Sequence, residues 1–285
     1  MLQVTAHVTY MIEGGAPVNK DKEIPANSRK TFNVADDVGN KDTSIQVSCE
    51  EGIIPERAMY RNKRREGHDS IGTTTSATDY FLAEGTSAWG FTSYVLVQNP
   101  GAEDAQITLT YMTPAGPASQ SPFTMPAKSR KTIRVNDVPG MGNTDFSTHV
   151  HSNVPIIAER SMYWDNGTGE ACHDSIGMDA PHTTFYLPDG QVGSDVETFT
   201  LVQNPNATPV NITVTYLLPS GAPVTFNDSV PANSRKTYNM KDKGVSGQAG
   251  IVVTSTTAGK KIMCERSMYF FNRGAGTDTI GGYSD

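Results

Sequence analysis

The chain repeats itself three times, and this repetition restricts its possible folds more than any other feature. The heptapeptide Pro-Ala-Asn-Ser-Arg-Lys-Thr at residues 25–31 returns at 231–237 and, with lysine in place of asparagine, at 126–132. A period near 105 residues is longer than a solenoid repeat, whose unit has roughly 20–50 residues. It matches the size of one small β-sandwich domain.

Three further motifs recur in the same order. Glu-Arg-Ala/Ser-Met-Tyr stands at 56–60, 159–163 and 265–269, His/Thr-Asp-Ser/Thr-Ile-Gly at 68–72, 173–177 and 277–281, and Leu-Val-Gln-Asn-Pro at 96–100 and 201–205. We therefore divide the chain into unit 1 (1–79, an incomplete sandwich), unit 2 (80–184) and unit 3 (185–285). The joints near 73–79 and 178–184 are short and polar, which predicts beads in a row with restricted flexing.

Within a unit the pattern indicates β-strands. Residues 106–112 and 211–217 alternate apolar and polar side chains, as a half-buried strand requires. Each run is followed by Pro-x-Gly, a turn signal because proline fixes φ and glycine permits positive φ. No segment of helical length carries an apolar stripe with a period of 3.6. We expect an all-β chain of three tandem immunoglobulin-like or fibronectin-like β-sandwich domains.

Unit 1 has no counterpart of residues 80–101, because aligning Tyr10 with Tyr111 places Met1 opposite Ala102. A sandwich without an internal strand leaves backbone groups unpaired along the gap. The favoured interpretation is that the chain is cut from a longer protein. The alternative is that a strand from another chain fills the gap, which would make this the subunit of a polymer.

Composition excludes several function classes. The net charge of −7 gives no electrostatic footprint for nucleic-acid binding, and no run approaches 18 apolar residues, so no membrane insertion is expected. Cys49, Cys172 and Cys264 are odd in number and occupy unrelated places in the repeats, which indicates free thiols. The first residues carry no secretory signal, so the chain is expected to be either cytosolic or an excerpt.

The repeated Glu-Arg pair suggests a structural role. In Glu159-Arg160 the two side chains point to opposite faces of a strand, so one of them lies where an unpaired charge is strongly disfavoured. The aspartate of the next motif is available in every unit. We expect an Arg–Asp or Arg–backbone lock that ties the final strand to its neighbour, formed by Arg57, Arg160 and Arg266 with Asp69, Asp174 and Asp278.

Catalytic and metal sites are the weaker alternatives, and no cofactor is expected. Acid–base chemistry needs two acids converging in one pocket, and three tandem copies of such a site would be unusual. His149 and His151 share a strand face near Cys172, but units 1 and 3 have no counterpart of these two histidines, so a solvated edge is favoured over zinc.

Aromatic residues follow the Glu-Arg motif in units 2 and 3. They could form a platform for sugar, although at strand ends such residues more often pack in a core or a domain joint. These residues are Tyr163, Trp164, Tyr269 and Phe270.

At these motifs the sequence resembles tandem β-sandwich modules of uncharacterised function in large bacterial cell-surface and secreted proteins. The resemblance covers all three units, with departures at Thr277 and Arg61 and at the start of unit 1. It implies an extracellular, non-enzymatic scaffold, in the form of a rod, fibre or surface layer. The expected partners are copies of itself or adjacent domains of a longer chain. A carbohydrate-binding or adhesive surface module, for example one that binds polysaccharide, is the alternative.

Overall fold

The computed structural model describes residues 3–165, 167 and 170–285. The protein is nearly all β, with 58% of it in strands and 5% in helices, and its sheets are antiparallel. The all-β prediction is therefore confirmed. None of the helices within the described ranges is long and apolar enough to cross a membrane.

Unit 1 contributes a small sheet and a hairpin. Its elements are β1 (Val4–Ile12), β2 (Val18–Ile24), helix α1 (Val34–Val38), β3 (Thr43–Ser48), β4 (Glu56–Arg61), a 3-10 turn (Asn62–Arg64) and β5 (Glu66–Ile71). The sheet has the order β2-β1-β3, and β4 and β5 form a separate two-stranded sheet. Val8, Tyr10 and Ile12 alternate along β1 and form a small core with Val38 of the helix.

Unit 2 is built around one long strand. Its elements are β6 (Ala77–Leu82), β7 (Phe91–Asn99), β8 (Ala105–Thr113), β9 (Gly116–Ser119), β10 (Phe123–Met125), β11 (Ser129–Arg134), a 3-10 turn (Val135–Asp137), β12 (Ser147–Asp165) and β13 (Glu170–Ile176). The first half of β12 pairs with β8 and β6, and the second half with β7 and β13. Val97, Leu109 and Val150 belong to the core that these strands enclose, which gives a sandwich-like layer structure. Because β6 begins at Ala77, it starts within the range that we assigned to unit 1.

Unit 3 follows the same path with the long strand divided in two. Its elements are β14 (Thr184–Leu187), β15 (Gln191–Val192), β16 (Val196–Asn204), β17 (Val210–Leu217), β18 (Val224–Val230), β19 (Ser234–Asn239), a 3-10 turn (Lys241–Lys243), β20 (Gly247–Gln248), β21 (Gly250–Ser255), β22 (Met263–Phe270), β23 (Ala275–Ile280) and β24 (Gly282–Ser284). The two main sheets have the orders β18-β17-β21-β14-β24 and β19-β16-β22-β23. Val202, Val214 and Val253 are fully buried in one core.

The repeated Pro-Ala-Asn/Lys-Ser-Arg-Lys-Thr segment adopts the same turn in all three units but not the same strand. Asn27, Lys128 and Asn233, the third residue of each copy, all have positive φ. The residues that follow form β11 and β19 in units 2 and 3, where they pair with β7 and β16. The sequence of unit 1 has no counterpart of β7, and residues 28–33 form no strand. An edge without a partner provides no ladder of backbone hydrogen bonds.

The asparagine of Leu-Val-Gln-Asn-Pro fixes the loop beyond its strand. Asn204 Nδ2 donates to the carbonyl oxygens of Thr208 (2.9 Å), Val230 (3.1 Å) and Pro231 (2.9 Å). Asn99 does the same in unit 2, and both side chains are fully buried. One buried amide therefore connects three backbone carbonyls from the loop and from the end of a neighbouring strand.

Candidate functional site: the charged seams between units

The arginine and aspartate that we paired within each unit lie on opposite faces of one sheet. Arg160 is opposite Ser175 across the β12–β13 pair, whereas Asp174 is opposite Ser161. Because side chains alternate between the faces of a strand, Arg160 and Asp174 point away from each other. The same register separates Arg57 from Asp69 and Arg266 from Asp278. The structure thus corrects the expected pairing within a unit. Arg57 and Arg160 instead bind carboxylates of the unit that follows in the chain.

The second seam, the contact between units 2 and 3, is centred on Arg160. Its Nη1 donates to Glu265 Oε2 at 2.6 Å and its Nη2 to Asp278 Oδ1 at 2.9 Å. Nη1 also donates to the backbone oxygen of Glu84 in its own unit at 3.2 Å, so a backbone contact of the expected kind is present. The side chains of Arg160, Glu265 and Asp278 are at most 1% exposed. Glu84 Oε2 of unit 2 also lies 3.2 Å from Nη2, so one guanidinium binds carboxylates of both units away from water.

The first seam, between units 1 and 2, repeats this arrangement in a more open form. Arg57 Nη2 lies 2.5 Å from both Glu159 Oε1 and Asp174 Oδ2. His68 Nδ1 lies 2.9 Å from the same Asp174 oxygen, and His68 Nε2 lies 2.9 Å from the Tyr163 hydroxyl. The Arg57 side chain is 28% exposed, whereas that of Arg160 is 1% exposed.

The histidine of the repeated motif has an equivalent position in the second seam. His173 Nε2 lies 3.3 Å from the hydroxyl of Tyr269, which donates to Glu84 Oε1 at 2.9 Å. Histidine and tyrosine thus meet across both seams, although the tyrosine of the second seam is in contact with an additional acid. Thr277 replaces this histidine in unit 3.

Burial distributes the protons of the second seam unevenly. Desolvation raises the pKa of Glu265 to about 8 and that of Glu84 well above its usual value, in each case with a contribution from the charge of Asp278. Burial would also raise the pKa of Asp278, but the positive charge of Arg160 and hydrogen bonds from Glu84 and Glu265 outweigh it, so that pKa is lowered. The ionised Asp278 therefore balances Arg160, and burial favours the protonated form of both glutamates.

In the first seam, too, the pKa of a glutamate is raised and that of an aspartate is lowered. Burial raises the pKa of Glu159 to about 7, with Asp174 adding to the shift. The pKa of Asp174 is lowered, because its contacts with His68 and Arg57 outweigh desolvation. A glutamate with a raised pKa next to an aspartate with a lowered pKa can resemble a catalytic acid–base pair. Here Arg57 Nη2 contacts an oxygen of each acid, so both acids already have a cationic partner within the protein.

A second arginine crosses each seam in the opposite direction. Arg130 Nη1 of unit 2 lies 2.6 Å from Glu13 Oε2 of unit 1. Arg235 Nη1 of unit 3 donates at 2.7 Å to the backbone oxygens of Gly85 and Phe146 of unit 2. Both arginines come from the Ser-Arg-Lys-Thr motif, so two of the repeated motifs serve the seams reciprocally.

The glutamine of Leu-Val-Gln-Asn-Pro also reaches across, which sequence reasoning missed. Gln203 Nε2 donates to the backbone oxygen of Thr148 at 3.2 Å and lies 3.4 Å from Met112 Sδ. Gln98 Nε2 lies 3.4 Å from Met11 Sδ in the first seam. The sequence signal that could have indicated this contact was the recurrence of the glutamine in both copies of the motif, next to the asparagine that binds the loop of its own unit.

The aromatic residues that we considered as a sugar platform pack in the seams. Trp164 and Tyr269 are 4% and 5% exposed and form one cluster with Phe91. Tyr163 lies under the guanidinium of Arg61, 4.1 Å from its ring centroid. Phe270 alone adjoins an exposed ring, Phe271. An open platform is therefore absent at Tyr163, Trp164 and Tyr269, because a neighbouring unit covers them.

In the part of the chain that the structure describes, two groups of side chains have the ligand types of a metal site. They are His68 with Glu159 and Asp174, and Glu84 with Glu265 and Asp278. In each group the carboxylates already bind the guanidinium of Arg57 or Arg160. A cation would have to compete with this fixed positive charge, so the donor sets do not fit a metal ion well.

The histidines that we weighed as zinc ligands lie elsewhere. His149 Nε2 and His151 Nδ1 lie 2.8 and 2.9 Å from the same oxygen of Asp79. His149 also stacks on Phe81, with ring centroids 4.5 Å apart. Cys172 is a buried free thiol, and its pKa is raised to about 11 by burial.

Comparisons with known proteins leave the family open. No protein-family model and no curated protein matches the chain. Among solved structures, the crystal structure of Thermotoga maritima 1070 is similar at 18% identity and a TM-score of 0.34, covering 36% of this chain and 94% of that one. The Anabaena sensory rhodopsin transducer is similar at 32% identity and a TM-score of 0.26, covering 29% and 92%. At these TM-scores neither likeness supports an inference about function.

Proposed function

We propose that the chain is a non-enzymatic structural scaffold, made of three immunoglobulin-like modules that are fixed to one another. The observation that carries this proposal is the use of the repeated charged residues. Arg57, Arg130, Arg160 and Arg235 all bind across a seam. A ligand site would present such groups in an open pocket. Here the repeated residues hold units together.

The resemblance of the motifs to bacterial surface modules supports an extracellular place for this scaffold, as part of a rod, fibre or surface layer. Polysaccharide binding has less support. Three of the four aromatic residues on which that alternative depended are packed against a neighbouring unit. Of that set only Phe270, which lies beside the exposed Phe271, could contact a glycan.

Small-angle X-ray scattering tests the rigidity that a scaffold needs. The native protein should match the profile calculated from the three units in their observed arrangement. Arg160→Ala should increase the radius of gyration, because it leaves buried carboxylates without their cation and opens the second seam. Arg134→Ala is a matched control, since the ion pair of this exposed arginine is a local one with Asp137, three residues away. A native profile of independently moving beads would contradict the proposal.

A further inference from the structure

The two seams use the same repeat positions in the same direction, so the surfaces at the two ends of the series are complementary. Each seam joins the arginine side of one unit to the carboxylate side of the next. Unit 3 therefore ends with an arginine side, and unit 1 begins with a carboxylate side. A contact that repeats head to tail remains open at both ends unless the units close a ring.

The arginine side of unit 3 contains a cation without a partner. Arg266 occupies the position of Arg160 and is only 7% exposed. Its Nε and Nη1 are buried and make no hydrogen bond, and no ion pair of the described residues includes it. Asp278 and Asp189 act on it only through their charge. A buried guanidinium in this state is costly, and it would be stabilised by a carboxylate from outside the unit.

The carboxylate side of unit 1 contains acids without a cation. Glu56 and Asp69 occupy the positions of Glu159 and Asp174, and both are exposed with no ion pair within the described ranges. They share the outer face of the β4–β5 hairpin with Tyr60 and Ile71, which are 62% and 64% exposed. In the first seam the equivalent face of unit 2 is covered by unit 1. The same face on unit 1 is uncovered.

The second arginine contact, made by the Ser-Arg-Lys-Thr motif, also has an open site on unit 3. Unit 3 has a surface pocket of about 280 Å³ lined by residues that include Gly190, Leu217 and Ala249. These are the repeat equivalents of Gly85, Met112 and Phe146, the place on unit 2 that receives Arg235 and Gln203. The backbone hydrogen bond from Ala249 to Gly190 reproduces the one from Phe146 to Gly85, at 2.9 Å in both.

The residue that would enter this pocket is present in unit 1. Arg29 is the repeat equivalent of Arg130 and Arg235, and it is exposed. No hydrogen bond or ion pair of the described residues joins 3–71 to 182–285, so unit 1 does not cover unit 3 of its own chain.

From these complementary ends we propose that two copies of this chain associate head to tail, unit 3 of one with unit 1 of the other. Arg266 of one copy then pairs with Glu56 and Asp69 of the other, and Arg29 of the second copy enters the pocket beside Gly190. This names the partner of the proposed scaffold and rests on that proposal. It differs from strand donation, because the contact is made by side chains on finished strands.

Sedimentation velocity over a range of concentrations tests the association. The native chain should form dimers and longer species as concentration rises. Arg266→Ala should weaken association roughly 30-fold or more, the usual effect of removing one partner of a buried interfacial charge pair. The double variant Glu56→Ala with Asp69→Ala should do the same from the other end. Arg29→Ala should also weaken association. Because Arg29 is exposed, this third variant tests the contact without disturbing the fold.

Mixing the end variants distinguishes this mode from all others. Arg266→Ala retains a working unit 1 end, and the double variant retains a working unit 3 end, so their equimolar mixture should form a dimer and stop there. Arg134→Ala and the double variant Glu50→Ala with Glu51→Ala should associate like the native chain. A native chain that stays monomeric, or an Arg266→Ala variant that associates normally, overturns the proposal. The rigidity of the internal seams, measured separately by scattering, would be unaffected by that result.

Discussion

Arg160 of unit 2 and Glu265 of unit 3 are 2.6 Å apart in a seam where neither side chain touches water. Their repeat equivalents in the first seam, Arg57 and Glu159, have the same relationship at a more exposed position. Arg266 is the third member of the series, and among the residues that the structure describes no carboxylate forms an ion pair with it. Because the three arginines occupy equivalent positions but differ in their partners, the effects of replacing them on the free energy of unfolding can be compared directly.

Arg160→Ala should lower the free energy of unfolding by about 3–5 kcal/mol, because it strands buried carboxylates. Arg266→Ala should leave the stability of the monomer unchanged or raise it, since no hydrogen bond is lost and an unpaired buried charge is removed. Urea denaturation of both variants at low protein concentration measures the difference. Equal losses at the two positions would mean that the pairing in the seam contributes nothing.

Stability should fall as pH rises from 6.5 to 8. Burial raises the pKa of Glu159 to about 7 and of Glu265 to about 8, from 4.5, so in this range the folded chain binds more protons than the unfolded chain. The free energy of unfolding then decreases with pH, by up to about 1.4 kcal/mol per pH unit for each group. His173, whose pKa is lowered to about 4, acts in the opposite sense only below about 6.5.

Thermal melting at several pH values between 6.5 and 8 measures this slope. Glu265→Gln should flatten it, because the amide retains the neutral form that the folded state prefers. Glu50→Gln, at an exposed site, should keep the native slope. A melting temperature that rises across this window would show that the buried glutamates are ionised in the folded protein.

Asn204→Asp should destabilise unit 3 by about 2–3 kcal/mol or more. The substitution is nearly isosteric, but it replaces an amide that donates to three carbonyl oxygens with a carboxylate that repels them. Urea denaturation should show this loss, whereas Asn227→Asp, at an exposed position bonded to Thr213, should change little. Similar losses at both positions would indicate a general charge effect.

The strand pattern and the repeat could be inferred from the sequence, but the seams could not. Alternation in β8 and β17 marks them as strands, because each side chain's burial depends on its own position in the strand. The opposite orientations of Glu159 and Arg160 were deduced in the same way. Which residues pack against each face of the sheet depends on how whole units are arranged. The local sequence around a residue does not determine that arrangement. The expected pairing of Arg160 with Asp174 differed from the structure for this reason.

Residues 28–33 illustrate the same limit in the opposite direction. Their sequence is nearly that of β11 and β19, which are strands. A strand also needs a partner edge, and unit 1 has no counterpart of β7 in the sequence. The same local sequence therefore gives a ladder in two units and a turn without a strand in the third.

Gly276→Ala should loosen the second seam without removing any charge. A Cβ at this position would lie 2.8 Å from the ring of Trp164, which is held against unit 3 by a 2.6 Å hydrogen bond from its Nε1 to the Arg273 carbonyl. The indole must move, and in moving it would expose the aromatic cluster of the seam to water. Gly72→Ala is the matched control, because nothing lies within 4 Å of its Cβ and its φ is not positive.

Tryptophan fluorescence reports this movement directly. The chain has two tryptophans, and Trp89 is 72% exposed while Trp164 is buried, so the Trp89→Phe background isolates the one in the seam. In that background the emission should be blue-shifted for the native seam and shift to the red with Gly276→Ala, and Gly72→Ala should leave it unchanged. An emission maximum that Gly276→Ala does not move would place Trp164 away from unit 3 and contradict the packing of the second seam.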